Sequence, residues 1–86
     1  MQNFVLEFDS GVEKDLRSIP NDIALRIWTR IFALAENPFP AGAKKLQGFE
    51  DTYRIRIGDY RVVYLVSTKN RIIEIQYISH RKDAYD

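Results

Sequence analysis

The sequence predicts an α+β domain in which a mainly antiparallel four-stranded sheet carries an α-helical hairpin on one face. Two observations predict this class. Residues 53–64 alternate between apolar and charged side chains around a central Gly-Asp pair, which is typical of a β-hairpin. Two earlier segments, residues 12–19 and 23–35, carry apolar residues at helical spacing. The expected element order is β-α-α-β-β-β, and we expect residues 1–86 to form a single domain.

The first strand and the first helix are predicted from short local patterns. Residues 4–8 alternate as a strand does. Ser10 and Glu13 match a capping box, which predicts a helix from there to about Ser18. Pro20 then ends the helix, because proline has no N–H to donate. The predicted helix has a stripe of three apolar residues: Val12, Leu16 and Ile19.

The second helix has the clearest pattern in the chain. Its main apolar residues recur at helical spacing: Ile23, Ile27, Ile31 and Leu34. Asn21 or Asp22 is the expected N-cap, Asn37 is the expected C-cap, and Pro38 prevents continuation. We expect Trp28 in the core or against a partner rather than against a nucleotide. Because the link between the helices is so short, they should pack as a hairpin on one face of the sheet.

The hairpin at residues 53–64 predicts a face that carries three arginines: Arg54, Arg56 and Arg61. A two-residue turn at Gly58-Asp59 suits type II′, which needs a positive φ at its first position. Counting back from this turn places Arg56 directly opposite Arg61. Like charges in that position destabilise a sheet by up to about 1 kcal/mol. The pairing therefore hints at a bound anion.

The last strand is expected at residues 72–79, after a second turn at Lys69-Asn70. This turn would set three pairs on the apolar face: Val66 with Ile73, Tyr64 with Ile75, and Val62 with Tyr77. The same register carries His80 to the arginine face. A slip of one residue would reverse that placement.

Charge is distributed unevenly along the chain, although its net value is only +1. Residues 1–43 hold four Lys or Arg against six Asp or Glu, and residues 44–86 hold nine against six. Such asymmetry points to a polyanion or an acidic partner. Lys44 and Lys45 lie in a predicted loop directly before the arginine strand, where they are candidate phosphate contacts or solvated surface.

Several classes of protein are excluded by composition. There is no cysteine, so neither a disulfide framework nor a thiolate metal site is expected. A single histidine excludes a multi-histidine metal site. No apolar run approaches the roughly 20 residues of a membrane span, and the N-terminus does not resemble a signal peptide. We expect a cytoplasmic protein with no cofactor and no metal.

The arginine face predicts phosphate chemistry. Guanidinium groups bind phosphate oxygens in bidentate fashion, and cations placed in advance stabilise the charge that a pentavalent phosphate gains. Histidine is the residue type best suited to proton exchange near neutral pH, which makes His80 the candidate for that step. Tyr85 could stack on an unpaired base. The alternatives are a structural His80 and solvated, salt-bridged arginines. A nuclease of this kind would be metal-free, with the RNA 2′-hydroxyl as the attacking group.

The chain resembles the RelE/ParE superfamily of bacterial and archaeal toxins. The resemblance rests on the element order and on three motifs: Lys45-Leu46-x-Gly48, the stretch Tyr53-Arg54-Ile55-Arg56-Ile57-Gly58-Asp59-Tyr60-Arg61-Val62-Val63-Tyr64, and His80-Arg81-Lys82-Asp83-x-Tyr85. The RelE branch of this family consists of ribosome-dependent endoribonucleases that cut mRNA in the A site, with a cyclic phosphate left by attack of the 2′-hydroxyl. The resemblance therefore implies this activity here.

The resemblance also implies roles for individual residues. Arg54 and Arg56 occupy the two basic positions of the first hairpin strand. Arg61 and Arg81 are implied as phosphate or leaving-group partners, and Tyr85 as the residue that stacks on a base or orients the 2′-hydroxyl. The best-known members have lysines where this chain has Arg54 and Arg56. Since arginine effectively cannot lose its proton, a base role shifts toward His80.

The expected partners are a cognate RelB-type antitoxin and a ribosome with mRNA in its A site. The expected RNA contacts outside the catalytic set are Lys44, Lys45 and Lys82. One alternative is a ParE-like toxin that inhibits DNA gyrase without nuclease activity. Another is a binding module that acts mainly with its antitoxin as a repressor complex.

Overall fold

The structure, a computed structural model, describes residues 3–81 and contains two helices and five strands within them. The helices are α1 (Val12–Arg17) and α2 (Asn21–Leu34), and the strands are β1 (Val5–Phe8), β2 (Lys44–Lys45), β3 (Thr52–Ile57), β4 (Tyr60–Ser67) and β5 (Ile72–His80). The sheet order is β1-β5-β4-β3-β2, with β1 parallel to β5 and the other pairs antiparallel. The predicted α+β class is confirmed. The sheet has five strands rather than the predicted four. The additional strand is β2, which was not predicted because its two residues are too few to produce a periodic pattern in the sequence.

The β3–β4 hairpin has the predicted register over its whole length. Ile57 lies opposite Tyr60, and Arg56 lies opposite Arg61. Gly58 has a φ of 59°, whereas Asp59 keeps a negative φ, which is the pattern of a type II′ turn. The local turn chemistry was therefore sufficient to fix this part of the sheet.

A β-bulge interrupts the pairing between β4 and β5. The predicted pairs Val66–Ile73 and Tyr64–Ile75 are confirmed, but the pair of Val62 with Tyr77 is wrong. One additional residue, Gln76, shifts the register, so that Tyr77 lies opposite Val63. Every β5 residue after the bulge consequently points to the face opposite to the one predicted. The shift affects four residues: Tyr77, Ile78, Ser79 and His80.

The predicted helix caps are wrong, although the helices themselves are confirmed. Gly11, not Ser10, is the N-cap of α1, and no side chain caps that end. The backbone N–H of Ser10 instead donates to Asp9 Oδ1 at 2.9 Å, in a tight turn that also joins the Val12 N–H to the Asp9 carbonyl at 3.1 Å. This turn sets the start of α1 one residue later than a capping box would.

The ends of α2 also differ from the predictions. Pro20 is the N-cap, since its carbonyl accepts the Ala24 N–H at 2.8 Å, and neither Asn21 nor Asp22 takes that position. The C-cap is Ala35. Asn37 lies beyond the helix, where its Oδ1 accepts the Phe39 N–H at 3.1 Å.

The core lies between the two helices and one face of the sheet. Helix residues and sheet residues form one buried cluster: Val12, Leu16, Ile19, Ile27, Ile31, Leu34, Ile55, Ile57, Val62, Tyr64, Val66, Ile73, Ile75 and Ile78. Trp28 packs against this cluster, and its ring lies 5.5 Å from that of Phe8 and 5.3 Å from that of Phe32. The helices therefore cover one face of the sheet, and the arginine side chains of β3 and β4 lie on the other face.

Two polar contacts fix loops and edges to this core. The Tyr64 hydroxyl, fully buried, donates to the Pro38 carbonyl at 2.8 Å. Burial, assisted by the neighbouring Tyr53, raises the pKa of Tyr64 to about 12. The Asp15 carboxylate accepts the Ile78 N–H at 3.1 Å, at the edge of β5 beyond the end of β1.

Neither helix within residues 3–81 is long and apolar enough to cross a membrane.

Candidate nucleic-acid interface

The three arginines of the β3–β4 hairpin share the sheet face that the helices leave open. Alternation along β3 places Arg54 and Arg56 on this face, and Arg61 joins them from β4, opposite Arg56. Arg54 lies opposite Val63 and is the diagonal neighbour of Arg61. A diagonal position on adjacent strands is within reach of long side chains. The predicted gathering of these arginines is confirmed.

The arginines differ in depth. Arg54 and Arg61 are each only 8% exposed, whereas Arg56 is exposed. Val63, which lies between Arg54 on one side and Tyr77 on the other, is 1% exposed although it belongs to the open face. Its burial means that the side chains around it form a closed layer. Arg54 and Arg61 are thus held in a packed position rather than extended into solvent.

A cleft of about 410 Å³ opens over these buried arginines. Eight of the described residues line it: Lys44, Lys45, Leu46, Gln47, Phe49, Arg54, Arg61 and Tyr77. Among these described lining residues four are cationic and none is Asp or Glu. Because charges in a concave, partly buried site are screened less than surface charges, the cleft is suited to an anion.

Lys44 and Lys45 enter the cleft through β2. Lys44 pairs with Arg54 and Lys45 pairs with Tyr53, and both lysine side chains are exposed. The prediction that these lysines lie in a loop is wrong, because they form a two-residue strand that pairs with the arginine strand β3. Pairing with Arg54 places Lys44 on the arginine face, whereas the position of Lys45 opposite Tyr53 is on the helical face, so Lys45 borders the cleft at the edge of the sheet.

His80 does not lie on the arginine face, so its predicted position is wrong. The bulge sets His80 opposite Tyr60, and the two rings contact each other edge to face with centroids 4.9 Å apart. Ser79 takes the position opposite Arg61 instead. His80 therefore lies on the side of the sheet that faces the helices, where it is half-buried.

Arg81 lies at the turn of the β3–β4 hairpin. Its backbone N–H donates to the Asp59 carbonyl at 2.7 Å, and its Nε is 3.7 Å from Asp59 Oδ1. Both side chains are largely exposed. Two further predicted site residues, Lys82 and Tyr85, lie outside the described residues.

Sequence reasoning missed two aromatic residues of the cleft, Tyr77 and Phe49. Tyr77 was assigned to the apolar face because nothing in the sequence marked the bulge. Phe49 lies in a non-repetitive segment, where the only local signal is the neighbouring Gly48, whose φ is 83°. Within residues 3–81 no group of three His, Asp or Glu side chains is arranged to hold a metal ion.

Comparison with known proteins places the chain among toxins. A family model described as "ParE toxin of type II toxin-antitoxin system, parDE" matches residues 6–85. The RelE1 protein of Methanocaldococcus jannaschii is 39% identical over 85 residues, which cover 95% of this chain and 94% of that protein. Toxin RelE of Mycobacterium tuberculosis is 33% identical over 73 residues, covering 84% of this chain and 75% of the relative. The crystal structure of the archaeal RelE–RelB complex from Pyrococcus horikoshii OT3 superimposes with a TM-score of 0.83 at 32% identity, covering 95% of this chain and 99% of the matched one.

Proposed function

The chain belongs to the RelE/ParE superfamily of type II toxins, and we propose that it is a RelE-type endoribonuclease that cuts translated mRNA in the ribosomal A site. The observation that carries this proposal is the cleft lined by Arg54, Arg61 and two lysines of β2, with no carboxylate among the residues described around it. A single RNA strand offers the complementary charge, and its phosphates fit the bidentate geometry of guanidinium groups.

The proposed reaction is attack by the ribose 2′-hydroxyl on the adjacent phosphodiester. The oxygen–phosphorus bond to the 2′-oxygen forms as the bond to the 5′-oxygen of the next nucleotide breaks, which leaves a 2′,3′-cyclic phosphate on one product. The 2′-hydroxyl loses its proton and the 5′-oxygen gains one, so the other product has a 5′-hydroxyl. Negative charge increases on the non-bridging oxygens in the pentavalent state. Arg54 and Arg61 are held in place before the substrate arrives, so their charge stabilises that state without reorganisation. Arg56, at the exposed edge of the same face, would contact the neighbouring phosphate.

Proton transfer in this proposal does not use His80. Its pairing with Tyr60 sets it on the opposite side of the sheet from Arg61. The arginines keep their protons, so they supply charge only. Besides the arginines, the polar side chains of Lys44, Lys45, Gln47 and Tyr77 line the cleft, and these are the described groups that could contact the reacting oxygens there.

Arg81 and Tyr85 complete the proposed site. The family resemblance assigns Arg81 to the phosphate or the leaving group, and Tyr85 to the base or the 2′-hydroxyl. Arg81 contacts Asp59 at the hairpin turn through an exposed pair at 3.7 Å. Exposed ion pairs of this kind contribute less than about 1 kcal/mol, so RNA can compete for the guanidinium. Lys82 is proposed as a further RNA contact.

A RelB-type antitoxin is the proposed protein partner. The similar chain from Pyrococcus horikoshii was solved as a RelE–RelB complex. This chain exposes large apolar side chains on its helical side, with Leu25 at 68% and Phe32 at 58% exposure. An amphipathic partner helix would bury such residues. Action on ribosomes and neutralisation by an antitoxin are both consistent with a cytoplasmic protein.

Inhibition of DNA gyrase remains the second candidate function, because the matching family model is described by its ParE members. The two functions differ in their target, so one induction experiment separates them. Wild type and Arg61→Gln are expressed in separate cultures, and a translated mRNA is mapped by primer extension beside a copy that lacks its start codon. Plasmid supercoiling is measured in the same cultures.

We expect wild type to cut only the translated copy, and Arg61→Gln to leave it intact, with supercoiling unchanged in both. Arg17→Gln is the matched control, since Arg17 is an exposed arginine of α1 paired with Glu13 at 2.9 Å. It should cut as wild type does. Growth arrest with intact mRNA and altered supercoiling would replace the nuclease assignment by the gyrase one.

A further inference from the structure

We propose that Tyr77 and Phe49 are stacking platforms for two nucleobases of the RNA strand whose phosphate is bound by Arg54 and Arg61. This inference rests on the proposed function, because it takes single-stranded RNA to be the ligand of the cleft. It assigns to the cleft a base-binding role that its charge alone does not supply.

The exposure of both rings is the first observation that supports it. Tyr77 is 45% exposed and Phe49 is 63% exposed, yet both line the cleft that holds the four cations. A large aromatic side chain contributes to folding mainly through burial, so a ring left open at a concave charged site is available to a ligand. Alternating cationic and aromatic side chains are typical of surfaces that bind single strands.

The position of Tyr77 is fixed by the bulge in β5. Tyr77 lies in one cross-strand row with Val63 and Arg54, and the buried Val63 separates the two. Strands are spaced about 4.8 Å apart, so the backbones of Tyr77 and Arg54 are about 10 Å apart. The Tyr77 ring and the Arg54 guanidinium group thus lie on the same face of the sheet, two strands apart. Without the bulge, Tyr77 would face the helices.

Phe49 approaches from the other side of the cleft. It follows β2 in a turn in which the Phe49 N–H donates to the Leu46 carbonyl at 3.4 Å, with Gly48 at a φ of 83°. In the sheet order, β5 lies on one side of the β3–β4 pair and β2 on the other. The two rings consequently flank the pair of buried arginines, as required for bases on either side of one bound phosphate.

Binding of a short single-stranded RNA, measured beside an abasic strand of the same length, tests this inference. Tyr77→Ala and Phe49→Ala should each weaken binding of the base-containing strand about tenfold, within the range of about 5- to 150-fold that one stacked base is worth. Binding of the abasic strand should stay as in wild type. Tyr77→Phe keeps the ring and should bind both strands as wild type does.

Two matched controls exclude a general effect of removing an exposed ring. Phe39 is 45% exposed, as Tyr77 is, and Phe32 is 58% exposed, close to the value of Phe49. Neither lines the cleft. Phe39→Ala and Phe32→Ala should therefore leave RNA binding unchanged. Phe49 belongs to an exposed turn, so its variant tests the inference even if Tyr77→Ala fails to fold.

The same titrations separate failure of this inference from failure of the proposed function. If Arg61→Gln abolishes binding while both aromatic variants bind the base-containing strand as wild type does, stacking is refuted and the RNA cleft stands. If wild type binds neither strand and Arg61→Gln changes nothing, both the inference and the proposed function are refuted.

Discussion

Arg56 lies directly opposite Arg61 across the β3–β4 hairpin, so that two guanidinium groups stand on one face of adjacent strands. Facing like charges disfavour strand pairing, and this pair is placed next to a cleft with two further cations from β2. A hairpin selected for stability alone would place an uncharged or acidic residue at one of these positions. The arrangement is explained if an anion binds there.

Replacement of Arg56 should therefore separate stability from activity. Arg56 is exposed, so Arg56→Gln removes the repulsion without opening a cavity. We expect the free energy of unfolding to stay within about 0.5 kcal/mol of the wild-type value, as for other exposed side chains, while RNA cleavage falls. Denaturant unfolding beside a cleavage assay checks both. A loss of stability larger than that of the exposed control Arg17→Gln would show that the pairing with Arg61 is favourable.

His80 should be dispensable for proton transfer. It lies opposite Tyr60, on the other side of the sheet from the arginines. We expect the pH–rate profile of His80→Ala to have the shape of the wild-type profile, with any loss of rate equal at every pH. Disappearance of one limb of the profile in the variant would return His80 to the catalytic set.

Tyr64 should make the fold sensitive to alkali. The pKa of its hydroxyl is raised to about 12 in the folded chain, from the ordinary tyrosine pKa of 10.0. Stability from this shift is complete below pH 10 and is lost as pH rises toward 12, by about 2–3 kcal/mol in total. Guanidinium chloride unfolding from pH 8 to pH 12 measures this loss.

The variant Tyr64→Phe should lose most of that pH dependence. At neutral pH it should already be less stable by about 1–2 kcal/mol, because the buried Pro38 carbonyl loses its donor. Tyr77→Phe, at an exposed tyrosine, is the control and should keep both the stability and the alkaline loss. Equal pH dependence in Tyr64→Phe and wild type would assign the loss to other groups.

Gly58, the one glycine between residues 53 and 64, should tolerate substitution poorly. Its φ of 59° is disfavoured for residues with a Cβ, although the space around it is open. We expect Gly58→Ala to lower the free energy of unfolding by about 1 kcal/mol or more. Gly11→Ala, at a φ of −81° and also with open space, should stay within about 0.5 kcal/mol of wild type. Similar effects of the two substitutions would mean that the turn can adopt another type.

The parts of the fold that sequence predicted are those with a strong local signal. The register from Arg56–Arg61 back to Tyr53–Tyr64 follows from one Gly-Asp turn, since a two-residue turn allows only one pairing. The helices follow from their apolar spacing. The predicted N-caps were wrong because the turn at Asp9 and the Pro20 carbonyl set where the helices begin. These contacts take the place of side-chain caps from Ser10, Asn21 and Asp22.

The parts that sequence missed depend on contacts between distant segments. The bulge in β5 adds one residue near Gln76, and no glycine or proline marks it. Its register is supported by the burial of Ile78 and by the Asp15 carboxylate of α1, which binds the Ile78 N–H. The shift of one residue places Tyr77 on the arginine face and moves His80 to the helical face. The arginine half of the site was thus predictable, whereas its aromatic half was not.

Cleavage of a defined mRNA on ribosomes with a chosen A-site codon is the decisive test of the proposed endoribonuclease activity. Two strands are compared, one all-ribose and one with a single 2′-deoxynucleotide on the 5′ side of the scissile phosphate. We expect a 2′,3′-cyclic phosphate on the product of the first strand, no cleavage of the second, and a rate for Arg61→Gln lower by about 10²–10³. Cleavage of the 2′-deoxy strand, or an undiminished rate in Arg61→Gln, would contradict it.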